Sequence, residues 1–314
     1  MRSKPILILA GDPKSIFFEI FFKFLKKEKK LKSPLILVAS NIILKNEMRK
    51  FKFSRKIRFI NSQNLEKNKL NNNTINLIDI PYNLGQKKNY LKECFDISCK
   101  ILKTGFTNKF INGPITKTDF LNKKFLGITE YIAKRFKIKK VAMLIYNKEL
   151  SVCPITTHLP LKLVHKKLSK KLIEEKVKLI NTFYKKNFNF KPKIAITGMN
   201  PHCESILKVN EDTKIVRPAV LSLKNLGYKV DGPFPADTIF LKQNRKKFNV
   251  IIGMYHDQVI SPLKTLKEYD AFNITLGLPF FRISPDHGPN IVMLNKNKSN
   301  PTSLIKTIKF LDEK

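Results

Sequence analysis

The sequence lacks tryptophan, and glycine is scarce, with 11 in 314 residues. Cysteine stops at four, Cys94, Cys99, Cys153 and Cys203. In a chain of this length that excludes a disulfide framework. Cys94 and Cys99 are not spaced as a CxxC pair, which excludes a zinc ribbon and a thioredoxin-like redox motif. No apolar run approaches the roughly 18 residues a membrane-spanning helix needs, so no membrane partner is expected. The run Ile6–Leu9 ends at Gly11-Asp12-Pro13, too short for a signal-peptide core. With reduced cysteines, this sets the expected compartment as the cytoplasm. Acidic residues are also few, 24 against 61 Lys and Arg, for a net charge of +37.

What is present reads as an ordinary folding chain. A hydrophobic share of 42% with 27% charged residues excludes wholesale disorder. The length suits about two domains of roughly 150 residues. The charge alone suggests nucleic acid, but its distribution argues against that. Lysines recur along the whole chain, at Lys26, Lys27, Lys87, Lys88, Lys166, Lys171, Lys246 and Lys247, among other places, with no stripe interleaved with aromatics. They read as a compositional bias at exposed positions, and no nucleic-acid partner is expected.

Short β-branched runs alternate with helical periods. Strands are expected at 6–10, 35–39, 75–80, 110–112, 141–145, 152–156, 194–197 and 250–254. These runs are nearly continuous rather than alternating, the pattern of strands buried on both faces. Tyr90, Leu91, Cys94, Phe95, Cys99 and Leu102 mark one helical face. Leu161, Val164, Leu168, Leu172 and Val177 mark a second. Val216, Val220, Leu223 and Leu226 mark a third, closed by Gly227. The stretch 64–76 reads as an exposed loop. The alternation means an α/β protein with a largely parallel sheet.

Four of the five histidines lie just beyond a strand-like run: His158, His202, His256 and His287. His165 sits in a Lys-rich helical stretch and reads as solvated. In open α/β sheets ligands bind outside the carboxyl ends of the strands. Three imidazoles converging there would suit zinc or another divalent first-row metal rather than calcium. Asp237, Asp257, Lys264, Asn273 and Arg282 follow in the same region. Arg and Lys beside a metal suit a phosphate or carboxylate substrate. Asp237 stands out because acids are scarce.

Several segments carry a family resemblance, in this order: Thr156-Thr157-His158-Leu159-Pro160-Leu161, Asn200-Pro201-His202, Gly232-Pro233-Phe234-Pro235-Ala236-Asp237-Thr238, Met254-Tyr255-His256-Asp257-Gln258, Asn273-Ile274-Thr275-Leu276-Gly277-Leu278-Pro279 and Asp286-His287-Gly288. Asn112 to Lys117 and Gly11-Asp12-Pro13 add to the set. Together they resemble the 4-hydroxythreonine-4-phosphate dehydrogenase family over about residues 5–312. The resemblance implies a two-domain α/β/α architecture like that of isocitrate and isopropylmalate dehydrogenases. It implies residues 1–130 with 265–314 as a cofactor-side domain, and 131–264 as a domain carrying the metal site and dimer interface. It implies a homodimer whose site is shared across the interface. His158, His202 and His256 match the family's metal ligands, for zinc or alternatively magnesium, manganese or cobalt. Thr129, Lys264, Asn273 and Arg282 match its contacts to a small phosphorylated substrate, Lys264 doubles as a catalytic candidate, and Asp237 or Asp257 is the candidate acceptor for the substrate's hydroxyl proton. The implied reaction oxidises 4-phosphohydroxy-L-threonine with NAD or NADP, then decarboxylates it to 3-amino-2-oxopropyl phosphate, in pyridoxal phosphate biosynthesis.

The sequence departs from the family pattern at three places. Ile128 replaces a substrate-contacting histidine. The loop after His287 reads Pro289-Asn290 and then Leu294-Asn295-Lys296-Asn297, with asparagine at both glycine positions. Gly288, Asn290 and Asn295 are the candidate dinucleotide contacts, and asparagine tolerates the left-handed backbone such a turn needs. Gly-rich stretches are also replaced at Lys14 to Glu19 and Cys203 to Leu207. These departures favour two alternatives: a dehydrogenase of a threonate- or erythronate-type 4-phosphate, or a non-redox homologue that binds metal and phosphate.

Overall fold

Continuous burial turns the apolar runs into strands: Ile6–Leu9 and Leu35–Ala39 are buried at every position. The computed structural model describes residues 3–28, 30–116, 120–121, 125, 127–207, 209–286 and 288–314. Its strands, in chain order, are β1 (Ile6–Leu9), β2 (Leu35–Ala39), β3 (Ile57–Phe59), β4 (Ile75–Asp79), β5 (Lys109–Asn112), β6 (Ala142–Tyr146), β7 (Ser151–Pro154), β8 (Ile194–Thr197), β9 (Val230–Phe234), β10 (Val250–Gly253), β11 (Phe272–Leu276) and β12 (Phe281–Pro285). The chain divides into two units, Met1–Phe125 with Pro279–Lys314, and Leu126–Leu278.

In the first unit the strands run in the order β3-β4-β2-β1-β5-β12, every pair parallel. The helix Phe17–Lys27 buries Phe17, Phe18, Phe21, Phe22 and Phe24. Phe17 stacks on Phe21 with ring centroids 5.6 Å apart, and Phe22 on Phe53 at 4.5 Å. Each buried phenylalanine contributes about 1.5–3 kcal/mol, so this helix anchors the unit without tryptophan.

In the second unit the order is β11-β6-β7-β10-β8-β9. β7, β10, β8 and β9 are parallel, whereas β11 with β6 and β6 with β7 are antiparallel. A tight turn at Asn147 explains the second antiparallel pair. Its Oδ1 accepts from Glu149 N at 3.0 Å, closing β6 onto β7 as a hairpin.

Two expectations change. The face from Leu161 to Val177 belongs to two helices, Leu161–Lys167 and Lys170–Phe188. The second is started by Ser169, whose side chain accepts from Leu172 N. The stretch 64–76 is not wholly an exposed loop: Asn76 lies in β4, buried, and donates to Leu35 O at 2.7 Å and Asn71 O at 2.8 Å. No helix among the described residues is long and apolar enough to cross a membrane.

Candidate functional site

The tips of β7 and β10 bring two of the predicted histidines together. Ile155 N donates to Gly253 O at 2.7 Å, and Thr156 Oγ1 to Met254 O at 2.7 Å. Two residues beyond Thr156 and Met254 stand His158 and His256, whose ring centroids lie 5.9 Å apart at an interplanar angle of 38°. His256 opens the helix His256–Lys267. Its Nδ1 lies 2.6 Å from Asp257 Oδ1. A carboxylate on Nδ1 leaves Nε2 for a metal, the usual carboxylate–histidine arrangement.

A glycine makes room behind His158. A Cβ on Gly127 would meet Glu130 Oε2 at 3.0 Å and His158 Nδ1 at 3.2 Å. Glu130 Oε2 is buried and accepts no hydrogen bond among the described residues.

His202 is exposed and stands in left-handed backbone at φ 53°, followed by Cys203 at φ 61°. Such backbone costs roughly 1–2 kcal/mol per residue. The fully buried Asp212 clamps the loop that carries them. It accepts from Met199 N at 2.7 Å, Asn200 N at 3.0 Å and Asn200 Nδ2 at 2.9 Å. Burial, followed by the nearby Asp212 carboxylate, pushes the Cys203 thiol up, keeping it neutral. Among the described residues no group of three or more His, Cys, Asp or Glu is set to hold a metal within one chain. The structure therefore joins His158 to His256 and leaves His202 apart. His165 is exposed on its helix, and His287 lies outside the described residues.

The predicted substrate residues divide between the units. Thr129 is buried in the first turn of the helix Ile128–Arg135, beside the equally buried Ile128. Lys264 is half-buried on the helix His256–Lys267, with Nζ 3.4 Å from Glu268 O. Asn273 lies half-buried on β11, and its buried Oδ1 accepts no hydrogen bond among the described residues. Asp237 is exposed at the start of the short helix Ala236–Ile239. In the first unit Arg282 is buried on β12, with Nε donating to Asn112 Oδ1 at 2.7 Å. Asn112 Nδ2 donates to Gly113 O at 3.1 Å, which fixes its amide orientation.

The candidate dinucleotide loop also lies in the first unit. Asn290, Asn295 and Asn297 all adopt left-handed backbone, at φ 49°, 68° and 52°. Asparagine thus makes the turn that glycine makes in the family pattern. A Cβ on Gly288 would meet nothing within 4 Å. The loop is tied down by Glu19, a buried carboxylate that accepts from Ser299 N at 2.6 Å, Ser299 Oγ at 2.9 Å and Lys23 Nζ at 2.7 Å. Lys23 Nζ also donates to Asn297 O at 2.9 Å. Ile16 N donates to Pro289 O at 3.2 Å.

Residue-type reasoning missed Glu130, Asp212, Glu19 and Asn112. Asp212 and Glu19 shared the signal that singled out Asp237, scarcity of acid, but the loops they hold, at Met199 and Asn200 and at Ser299, are distant in sequence.

The comparisons with known proteins bear on the family and the fold. The model of the family described as "Pyridoxal phosphate biosynthetic protein PdxA" matches residues 30–311. The chain is 36% identical to a 4-hydroxythreonine-4-phosphate dehydrogenase of Sulfurihydrogenibium sp., over 97% of this chain and 96% of the relative. It is 29% identical to a D-threonate 4-phosphate dehydrogenase of Salmonella typhimurium, over 99% and 98%. A crystal structure of 4-hydroxythreonine-4-phosphate dehydrogenase from Klebsiella pneumoniae superposes with a TM-score of 0.83 at 30% identity, covering 98% of this chain and 97% of that one. Isocitrate dehydrogenase from Methylococcus capsulatus, at 11% identity and a TM-score of 0.50, covers 98% of this chain and 85% of its own and shares the fold.

Proposed function

Because the chain belongs to the family of the pyridoxal phosphate biosynthetic protein PdxA, we propose that this oxidoreductase converts 4-phosphohydroxy-L-threonine to 3-amino-2-oxopropyl phosphate. The observation that carries the reading is the facing pair His158 and His256, backed by Asp257.

The donor set fits a divalent first-row metal: two facing imidazoles, one with its Nδ1 already held by a carboxylate. His158 and His256 hold it from one chain. His202 completes the set from the neighbouring copy of a homodimer. That assignment is supported by the exposure of His202 and of Ile206, Leu207 and Val209 beside it, an apolar patch suited to a subunit contact. When bound, the metal, zinc or alternatively magnesium, manganese or cobalt, supplies a Lewis acid for the substrate's 3-hydroxyl and for the ketone made from it. The left-handed asparagine turn fits the backbone a dinucleotide loop needs. Gly288, Asn290 and Asn295 hold NAD or NADP, the hydride acceptor.

The remaining work falls to side chains. Asp237 takes the hydroxyl proton, since Asp257 is engaged with His256. Lys264 and Arg282 hold the phosphate and carboxylate ends as charge-assisted donors, Arg by its fork. Thr129 and the open acceptor Asn273 Oδ1 orient the polar groups between them. Loss of carbon dioxide from the 3-oxo acid then gives the product. The reading puts the reaction in the cytoplasm, in keeping with four free, buried cysteines.

One observation favours a second substrate. Ile128 is buried at 7% exposure and offers no hydrogen bond where the family pattern has histidine. Losing a charge-assisted contact costs roughly 1.5–3 kcal/mol, which weakens discrimination in favour of the amino acid. The second reading is therefore a threonate-type 4-phosphate.

The test is formation of reduced nicotinamide by purified protein with divalent metal, NAD or NADP, and each 4-phosphate in parallel. Turnover of 4-hydroxythreonine 4-phosphate that is lost in His202→Ala supports the reading. Turnover of D-threonate 4-phosphate alone moves the assignment to the second substrate. No turnover of either by folded, metal-loaded protein overturns both.

A further inference from the structure

We infer that Gln258 is a positioning residue for the metal ligands, its buried side-chain amide fixing the strand tips that carry His158 and His256 for the site of its own chain and His202 for the site of the neighbouring copy. The inference rests on the metal reading above.

β10 lies between β7 and β8. The β10–β8 ladder stops at Ile252 opposite Ile196, short of both histidine loops. Gln258 takes over beyond that end. Its Oε1 accepts from Met254 N at 2.7 Å and from Thr197 Oγ1 at 2.9 Å. Its Nε2 donates to Gly198 O at 2.8 Å. Met254, so held by its N–H, has its carbonyl taken by Thr156 Oγ1 at 2.7 Å and Thr156 N at 3.2 Å. One buried amide thus joins the residues that stand two before His256, two before His158, and four and five before His202.

The chemistry of the position is specific to an amide. Two donors converge on one oxygen, and one carbonyl needs a donor. A glutamate lacks that donor, and an apolar side chain provides neither function. Gly253 makes the approach possible: a Cβ there would meet Gln258 Oε1 at 3.0 Å and Val259 Cγ1 at 2.4 Å. At 8% exposure Gln258 makes these bonds out of reach of competing water.

The experiment titrates the full-length, metal-stripped protein with cobalt(II) and reads Kd and the visible d–d spectrum. Each variant's metal-free melting temperature is recorded alongside. Gln258→Met removes all three bonds at similar side-chain length, and Thr197→Val removes one. Outer-shell partners of metal ligands are typically worth 10- to 100-fold in affinity. The expected result is cobalt binding weakened about tenfold or more in Gln258→Met, less in Thr197→Val, with a changed spectrum in the folded variants. A purely structural role lowers the melting temperature but leaves Kd and spectrum as in the wild type, and that result overturns the inference. Where Gln258→Met does not fold, Thr197→Val decides, and wild-type Kd and spectrum overturn it. His158→Ala separates the two levels. Wild-type binding that is lost in His158→Ala supports the metal reading, so unchanged binding by the Gln258 variant then removes only the role of Gln258. A wild type that binds no cobalt overturns both.

Discussion

Asp257 Oδ1 lies 2.6 Å from His256 Nδ1, although the aspartate side chain is 78% exposed. A contact this exposed contributes little to folding. Its consequence is orientation: with Nδ1 held by the carboxylate, the other ring nitrogen faces away from Asp257. Asp257→Asn should therefore leave stability within about 0.5 kcal/mol while weakening cobalt or zinc affinity about tenfold. Turnover should recover when metal is added to saturation. Turnover that stays down about 100-fold with the site saturated would instead make Asp257 the proton acceptor and release Asp237 from that role.

The second expectation concerns the loop held by Glu19 and Lys23. Asn297 is exposed, at φ 52°, and its carbonyl accepts from Lys23 Nζ at 2.9 Å. Its side chain matters through the backbone it permits. Asn297→Ala should cost about 1 kcal/mol, the penalty for alanine in left-handed backbone, and should raise the dissociation constant for NAD or NADP. Asn297→Gly should match the wild type within about 0.5 kcal/mol in a urea titration and retain nucleotide binding by calorimetry. Equal losses in both variants would show that the asparagine side chain itself binds the nucleotide.

What was legible in the sequence and what was not divide along physical lines. β1, β2 and β8 are unbroken apolar runs buried on both faces, and their periodicity alone marked them. β9 and β11 were missed because Gly232 and Pro233, or Asn273 and Thr275, interrupt the apolar run. β12 was legible as the strand-like run before His287, although Arg282 and Pro285 break its apolar pattern. Within β12 the interruption is a buried polar pair, Arg282 Nε donating to Asn112 Oδ1. His158 and His256 were singled out because strand ends collect chemistry in open sheets, and the structure sets their ring centroids 5.9 Å apart. The residues that hold them were not. Gln258 takes two of its three partners from Thr197 and Gly198, some 60 residues away, and Asp212 closes on two backbone amides that carry no sequence signal. The asparagines at 295 and 297 were read correctly as turn-compatible, since that property belongs to the residue type itself.

The last expectation concerns high pH. Cys153 is completely buried in β7, and burial pushes its thiol up to about 11 from the ordinary 9.0. Cys94 is driven the same way by burial, to about 12. Below pH 9 both thiols are protonated whether the chain is folded or not, and the stability they contribute is fully present. Above pH 9 the unfolded chain releases these protons while the folded one retains them, so stability falls as pH rises. For Cys153 the loss runs from pH 9 to about 11, at up to about 1.4 kcal/mol per pH unit. Urea titrations at pH 8, 10 and 11 measure it directly. Cys153→Ala removes one titrating thiol and should lose less stability than the wild type over that window, although it starts less stable at pH 8. Parallel loss in the two proteins would mean that Cys153 already ionises in the folded state, which its packing between β6 and β10 argues against.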